Sequence, residues 1–397
     1  MRRPKLWLFA LLLLAYSGLS VGPAWTKVAG AVHGRDFATY HYAAAEVRDG
    51  GDPYETRALS RRAREDGTRR RVHPYFYPPP FVLGVLWSPS FSLITSYHIW
   101  FWLNQALVLV VMGLFRRWLR APWWVLGVLL LTFTPITDNA KMGQANLLVL
   151  ALSVAGLWWR SGLLVGLAAM AKMSPALYLV PWLAQRRLWP VVAAGGTALL
   201  SSLIVLPWMG VDVQQRFYTE VLPSFGTGQY HGLTVRIGLP ANHSIPDLLN
   251  QLWPGPDQHT LAPNASRLGK IISLTLLAAL GWLARRRLDA LGEAGVYGAI
   301  TVLMLITPVY TYEHHLVLAL LPAAVVGTAL ADGRLGRWGG LVALPAYFFT
   351  AWPLYWLRPA QKALPGLSWW LQESKFLGLL GLGLLCAVAA WNGRRGR

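Results

Sequence analysis

Blocks of apolar residues recur along this chain from Leu6 to Ala390, and several run for about the 20 residues that a helix needs to cross a hydrocarbon core of about 30 Å. Backbone in lipid must satisfy its own amides and carbonyls, which restricts spanning structure to helices and closed barrels. A barrel would show alternating segments of about ten residues, and these blocks do not alternate. The sequence therefore predicts an all-α polytopic membrane protein. Composition agrees, because 55% of the 397 residues are hydrophobic and only 13% are charged.

The formal net charge of +19 is compatible with nucleic-acid binding until its placement is considered. Much of it lies in short clusters between apolar blocks: Arg116-Arg117, Arg186-Arg187, Arg285-Arg286-Arg287, and Arg394, Arg395 and Arg397 at the end of the chain. Such clusters anchor cytoplasmic helix ends, so membrane lipids, not nucleic acid, are the expected partner. Cys386 is the single cysteine, which excludes an intramolecular disulfide and a thiolate metal cluster. The basic start Met1-Arg2-Arg3-Pro4-Lys5, followed by apolar residues to about Val21, reads as an uncleaved first helix and not as a secretory signal, given the many later blocks.

Alternating the basic clusters predicts ten transmembrane helices plus a possible re-entrant pair, with both termini inside, in one domain over 1–397. The first span is Leu6 to Ala24, followed by a large outer loop over 25–96. Later spans cover Tyr97–Phe115, Trp123–Ile136, Ala145–Trp159 and Leu188–Trp208; a second outer loop over 210–268 follows. The remaining spans are Ile271–Ala284, Val296–Ile306, Leu316–Leu330, Leu341–Trp356 and Phe376–Ala390. Gly162–Leu183 has basic residues at both ends and Lys172-Met173-Ser174-Pro175 in its middle, so it reads either as two half-helices with Lys172 at a cavity tip or as a kinked span.

The first outer loop carries seven of the chain's 17 acidic residues and nine arginines. Phe37–Val47 and Thr56–Asp66 read as short helices separated by Gly50-Gly51 and Asp52-Pro53, and Pro78-Pro79-Pro80 sets how the chain returns to the membrane. Asp36, a dozen residues beyond the first span and near Tyr40, is placed to act as a general base or to remain a solvated acid beside Arg35. Lys172 requires an anion, a carboxylate or water. Glu313-His314-His315 lacks the spacing of a zinc hydrolase and suits an anion, phosphate above all. Asp138, Asn139 and Gln144 form an outer turn able to bond sugar hydroxyls or to cap helices. Gly226–Gly232 lacks the lysine and hydroxyl of a phosphate-binding loop, so nucleotide binding is not expected. Most of the 21 tryptophans fall near predicted span ends, as an aromatic belt would.

Taken together, Asp36-Phe37 with Tyr40, Gly50, Pro53-Tyr54, Phe76-Tyr77-Pro78-Pro79, Gly143-Gln144-Ala145-Asn146, Lys172-Met173-Ser174-Pro175, Pro308 and Glu313-His314-His315 resemble glycosyltransferase family 87, the polyprenol-phosphate-mannose-dependent α-mannosyltransferases of GT-C architecture. The resemblance runs from about residue 31 to 322. It implies an enzyme that moves a hexose, expected to be mannose, from a polyprenyl-phosphate donor to a lipid or glycan acceptor. It also implies the periplasmic face of a bacterial inner membrane, with no cofactor, nucleotide sugar or obligatory metal. Asp36 falls on the family's catalytic aspartate, and Lys172, His314 and His315 on its donor-phosphate ligands. Tyr40, Tyr77, Asp138, Asn139, Gln144, Asn146, Glu313, Arg69 and Arg70 are further substrate-binding candidates. Glu313 stands where an aspartate is common, and Val309–Tyr312 departs from the family's serine and tryptophan, which bears on donor and acceptor identity. A transporter or flippase for a phosphorylated lipid is the competing reading; it explains Lys172 but needs neither Asp36 nor the aromatic-proline loop.

Overall fold

The computed structural model describes residues 6–68, 71–226, 228, 235–239 and 242–393. Every regular element among them is helical. The chain opens with α1 (Leu6–Tyr16), a π-turn at Ser17–Val21 and α2 (Gly22–Ala29). The polar stretch that follows holds α3 (Phe37–Arg48) and α4 (Thr56–Glu65), then a 3₁₀ turn at Pro79–Gly84 where the proline run forbids an α-helix. α4 is strongly two-faced: Ala58, Leu59 and Ala63 are buried, while Arg62 turns back to pair with Glu46 and with Asp49 at 2.7 Å.

α5 (Leu93–Trp118) begins where Ser92 Oγ accepts from the Thr95 amide, and it ends on Arg116 and Arg117, cations that suit a helix C-terminus. Then come α6 (Trp123–Thr132), α7 (Pro135–Met142), α8 (Asn146–Trp159), α9 (Gly162–Ala171), α10 (Leu179–Ala184) and α11 (Leu188–Arg216), the last kinked at Gly210 and continued through a π-turn into α12 (Leu222–Ser224). α13 (Ile245–Leu252) lies between α12 and the next long helix. The remainder is α14 (Pro263–Ala284), α15 (Ala290–Ile306), a 3₁₀ turn at Glu313–Ala319 running into α16 (Leu320–Ala331), α17 (Gly336–Ala351), α18 (Arg358–Ala363), α19 (Ser368–Gln372) and α20 (Ser374–Asn392).

The expected GT-C arrangement of about ten spans with a re-entrant pair requires correction. Among the described residues five helical segments are long and apolar enough to cross a membrane: Leu93–Trp118, Leu188–Ser224, Pro263–Ala284, Glu313–Ala331 and Ser374–Asn392. A sixth arises only if α17 and the segment after it, bent by 107°, count as one span. The other apolar blocks, including those beginning at Trp123, Asn146, Gly162 and Ala290, fold into helices of 10–17 residues. At about 1.5 Å per residue these reach roughly 15–26 Å, short of the hydrocarbon thickness. Their ends are set by local breaks: an extended Lys172 after α9, left-handed Arg160 after α8 and Pro135 opening α7. Several apolar blocks are thus core packing inside a multi-pass membrane protein and not separate crossings.

Burial separates the long helices. The apolar window of Leu188–Ser224 is 17% buried, whereas that of Glu313–Ala331 is 72% buried. α15 and α16 occupy the middle of the bundle against α20, while α11 lies at the periphery against α9. Close approach there depends on Gly166, where a Cβ would meet Ala194 O at 2.8 Å.

Candidate active site

Four separate segments meet at Asp36. The residue occupies the N-cap position of α3, yet its carboxylate makes no capping bond. Instead Oδ2 accepts from Gln144 Nε2 at 2.9 Å, and Oδ1 faces His73 Nε2 at 4.0 Å. The side chain keeps 19% of its surface exposed.

Gln144 is held in turn by its carbonyl. Oε1 accepts from Tyr77 Oη at 2.8 Å and from Tyr40 Oη at 3.1 Å, and the two phenols lie 2.5 Å apart. Burial pushes both phenols well above their ordinary range, so each remains an O–H donor. The rings of Tyr40, Tyr77 and Phe81 pack within 5.1 Å of one another, which fixes the return of the proline run against α3. Gly143, immediately before Gln144, closes α7 in the left-handed region at φ 70°. A Cβ there would stand 2.7 Å from Phe37 Cβ and 3.1 Å from Tyr97, so glycine is required both by conformation and by space.

From Gln144 a row of amides leads inward. Its backbone carbonyl accepts from Asn139 Nδ2 at 3.3 Å; the same nitrogen donates to Asn104 Oδ1 at 2.9 Å. Asn146 Nδ2 donates to Asn139 Oδ1 at 3.0 Å and to His314 O at 3.2 Å, while Asn146 Oδ1 accepts from Lys172 Nζ at 2.7 Å. One hydrogen-bonded chain therefore joins Asp36 to Lys172. The break after α9 leaves the lysine half-buried at the end of that chain, with donor capacity beyond Asn146.

The histidine pair stands beside it. The two imidazoles are 4.3 Å apart between ring centres, and the charges of Asp36, Lys172 and Asp138 all reach His314. His315 Nδ1 accepts from the Tyr312 amide at 3.2 Å, an arrangement that puts the ring proton on Nε2. Other candidates are engaged elsewhere. Asp138 pairs with Lys141 at 2.8 Å, and Glu313 Oε1 accepts from the Leu354 amide at 2.7 Å and faces Lys375 Nζ at 3.5 Å. Arg69 and Arg70 lie outside the described residues. Among the described residues no three His, Cys, Asp or Glu side chains converge as a metal site.

Sequence reasoning missed Asn104, Lys375 and His73. An amide within the apolar stretch of α5 was a signal for Asn104. Lys375 was visible as a cation opening the last apolar block, but nothing local named its partners. His73 had no distinguishing signal.

Residues 75–308 match the model of glycosyltransferase family 87. The matched stretch contains Tyr77, Asn139, Gln144, Asn146 and Lys172, and Asp36 and the histidine pair flank it. The chain is 27% identical over 273 residues to the polyprenol-phosphate-mannose-dependent alpha-(1-2)-phosphatidylinositol mannoside mannosyltransferase of Mycolicibacterium smegmatis, covering 64% of this chain and 58% of that protein. It is 30% identical over 280 residues to the corresponding pentamannoside mannosyltransferase of the same organism, covering 64% and 62%, and 29% identical over 272 residues to that of Mycobacterium tuberculosis, covering 62% and 57%. The aligned regions thus span about six-tenths of the length of these curated relatives. No solved structure matches the chain. A family match across more than half of the sequence places this chain in glycosyltransferase family 87.

Proposed function

We propose that this protein transfers a hexose, mannose in the first instance, from a polyprenyl-phosphate donor to a hydroxyl of a lipid or glycan acceptor, with inversion at the anomeric carbon. The observation that carries the reading is the hydrogen-bonded chain linking the half-buried carboxylate of Asp36 to the ammonium of Lys172. That connection supports the reading, because glycosyl transfer from a phosphate leaving group calls for both a proton acceptor and a cation.

Asp36 is the general base. Its Oδ takes the proton of the acceptor hydroxyl as that oxygen bonds to the anomeric carbon, and the bond from that carbon to the phosphate oxygen breaks with its electron pair on the phosphate. Lys172 Nζ and the imidazole N–H groups of His314 and His315 offset the charge that grows on the leaving phosphate. Gln144, oriented by the Tyr40 and Tyr77 hydroxyls, fixes the carboxylate. A single displacement on a β-linked donor gives an α-linked product. The donor named for the relatives supports the choice of donor here, and the first outer loop is assigned to the periplasmic face of a bacterial inner membrane.

The test is Asp36→Asn, which keeps shape and removes the base. With polyprenyl-phosphate mannose and purified protein, transfer should fall by about 10²–10⁴-fold while the variant remains folded. Undiminished transfer would overturn the assignment of Asp36.

A further inference from the structure

The segment over 352–373 has no part in the site just described, and its composition suits neither water nor hydrocarbon. It consists of a 3₁₀ turn at Leu354–Leu357, α18, another 3₁₀ turn at Pro365–Leu367, and α19. None of these pieces is long enough to cross a membrane. Tyr355, Trp356, Trp369 and Trp370 are all exposed, along with Leu364 and Leu367, and Arg358 and Lys362 lie among them.

Its position follows from its neighbours. α17 enters it through the 107° bend, and α20 leaves it. Those two helices pack side by side, closely enough that a Cβ on Gly378 would meet Ala346 O at 2.9 Å. Both carry outward apolar residues, Leu344 and Leu384 among them, so both lie in lipid. The segment between them therefore sits at their common end. That end is the one where Glu313–Ala331 begins, the end that carries His314 and His315.

The segment is also fastened. Glu313 Oε1 accepts from the Leu354 amide at 2.7 Å and faces Lys375 Nζ at 3.5 Å, and the same ammonium donates to Trp352 O at 2.5 Å. At the far end, Trp369 Nε1 donates to Gln251 Oε1 at 2.8 Å, and Gln251 Nε2 donates to Glu373 Oε1 at 2.9 Å. Aromatic residues mixed with cations at the ends of lipid-facing helices belong at the headgroup level. We infer that residues 352–373 form an in-plane elbow seated at the boundary between headgroups and acyl chains, on the side of the membrane where the site opens. Glu313 ties this elbow to the histidine turn. The seating is independent of the transfer reaction proposed above.

Nitroxide labels on cysteines introduced at Tyr355, Leu364 and Trp370, in a full-length Cys386→Ala background, read the depth directly. The protein is reconstituted in vesicles of phosphatidylethanolamine and phosphatidylglycerol, and accessibility to oxygen is compared with accessibility to a water-soluble nickel chelate. Leu344→Cys supplies the hydrocarbon reference and Arg61→Cys, on the exposed side of α4, the aqueous one. All three elbow labels should fall between the references, within about 5–10 Å of the headgroup boundary. Labels matching Arg61→Cys, or matching Leu344→Cys, would overturn the seating. Adding Glu313→Ala should raise the mobility of the label at 355 severalfold, whereas Glu313→Gln, which still offers an acceptor to the Leu354 amide, should raise it less. Unchanged mobility in Glu313→Ala would overturn the tie. If that variant does not fold, the depth measurement with Glu313 in place still decides the seating.

Discussion

Lys172 follows the end of α9 and Lys375 opens α20, and their surroundings differ. Lys375 is 1% exposed and fully engaged: it donates to Trp352 O and, at 3.4 Å, to the carbonyls of Phe349 and Thr350, and it faces Glu313. Those carbonyls are the ones that the end of α17 leaves without helical donors. Lys172 is half-buried and, among the described residues, gives one hydrogen bond, to the Asn146 amide oxygen. An ammonium has three protons to donate. The first lysine completes the fold at a bent helix, while the second has capacity left for an anion. The tertiary structure thus separates the two lysines, one fully engaged within the fold and the other with donor capacity left over.

The difference is open to direct attack, beginning with the largest effect. Lys375→Met removes the cation but leaves Glu313 and three carbonyls behind, which should cost about 3–5 kcal/mol of stability, read as a loss of thermal stability in detergent. Lys172→Met should instead lower transfer about 100-fold through weaker donor binding, equivalent to about 2.7 kcal/mol, with a stability change of about 1 kcal/mol. Equal stability losses in the two variants would erase the distinction.

A pH-dependent effect comes from Asp247, beside the elbow's far end. Burial first, and then the neighbouring Glu373, pushes its carboxyl up to about 8 from an unfolded value of 3.8. The folded state therefore holds a proton that the unfolded chain has released over that interval. This contribution is complete below about pH 4 and drains away as pH rises to about 8. Asp247→Asn should flatten the slope, gaining stability relative to the parent as pH rises, and parallel melting curves for the two across that range would contradict it. Smallest is Tyr77→Phe. It removes one donor to Gln144 but leaves Tyr40, and transfer should fall about fivefold, near 1 kcal/mol; no change in rate would mean that Tyr40 alone orients the amide.

Much of the local structure was legible. The helices of the polar stretch over 25–96 fall where the residue pattern indicates them, as α3 and α4. Span count was not legible. The blocks at Trp123, Asn146 and Ala290 are as apolar as true crossings, and hydropathy cannot separate lipid from protein interior when both are equally free of water. Glu313 shows the same limit at the site. Its neighbour residues suggested substrate binding, but its bonds go to Leu354 and Lys375, 41 and 62 positions away, and no local pattern encodes them.

By itself the sequence determined that this protein is helical and membrane-embedded, because long apolar backbone in lipid has few ways to satisfy its polar groups. It also determined where helices break, through proline, glycine and charge, and which residue set marks the family. Only the tertiary structure decided which apolar helices lie inside the bundle and which face lipid. It alone joined Asp36 to Gln144 across 108 positions and led the amide chain on to Lys172. Hydropathy is a property of neighbours in sequence, whereas a hydrogen bond depends on neighbours in space, and in this bundle the two seldom coincide.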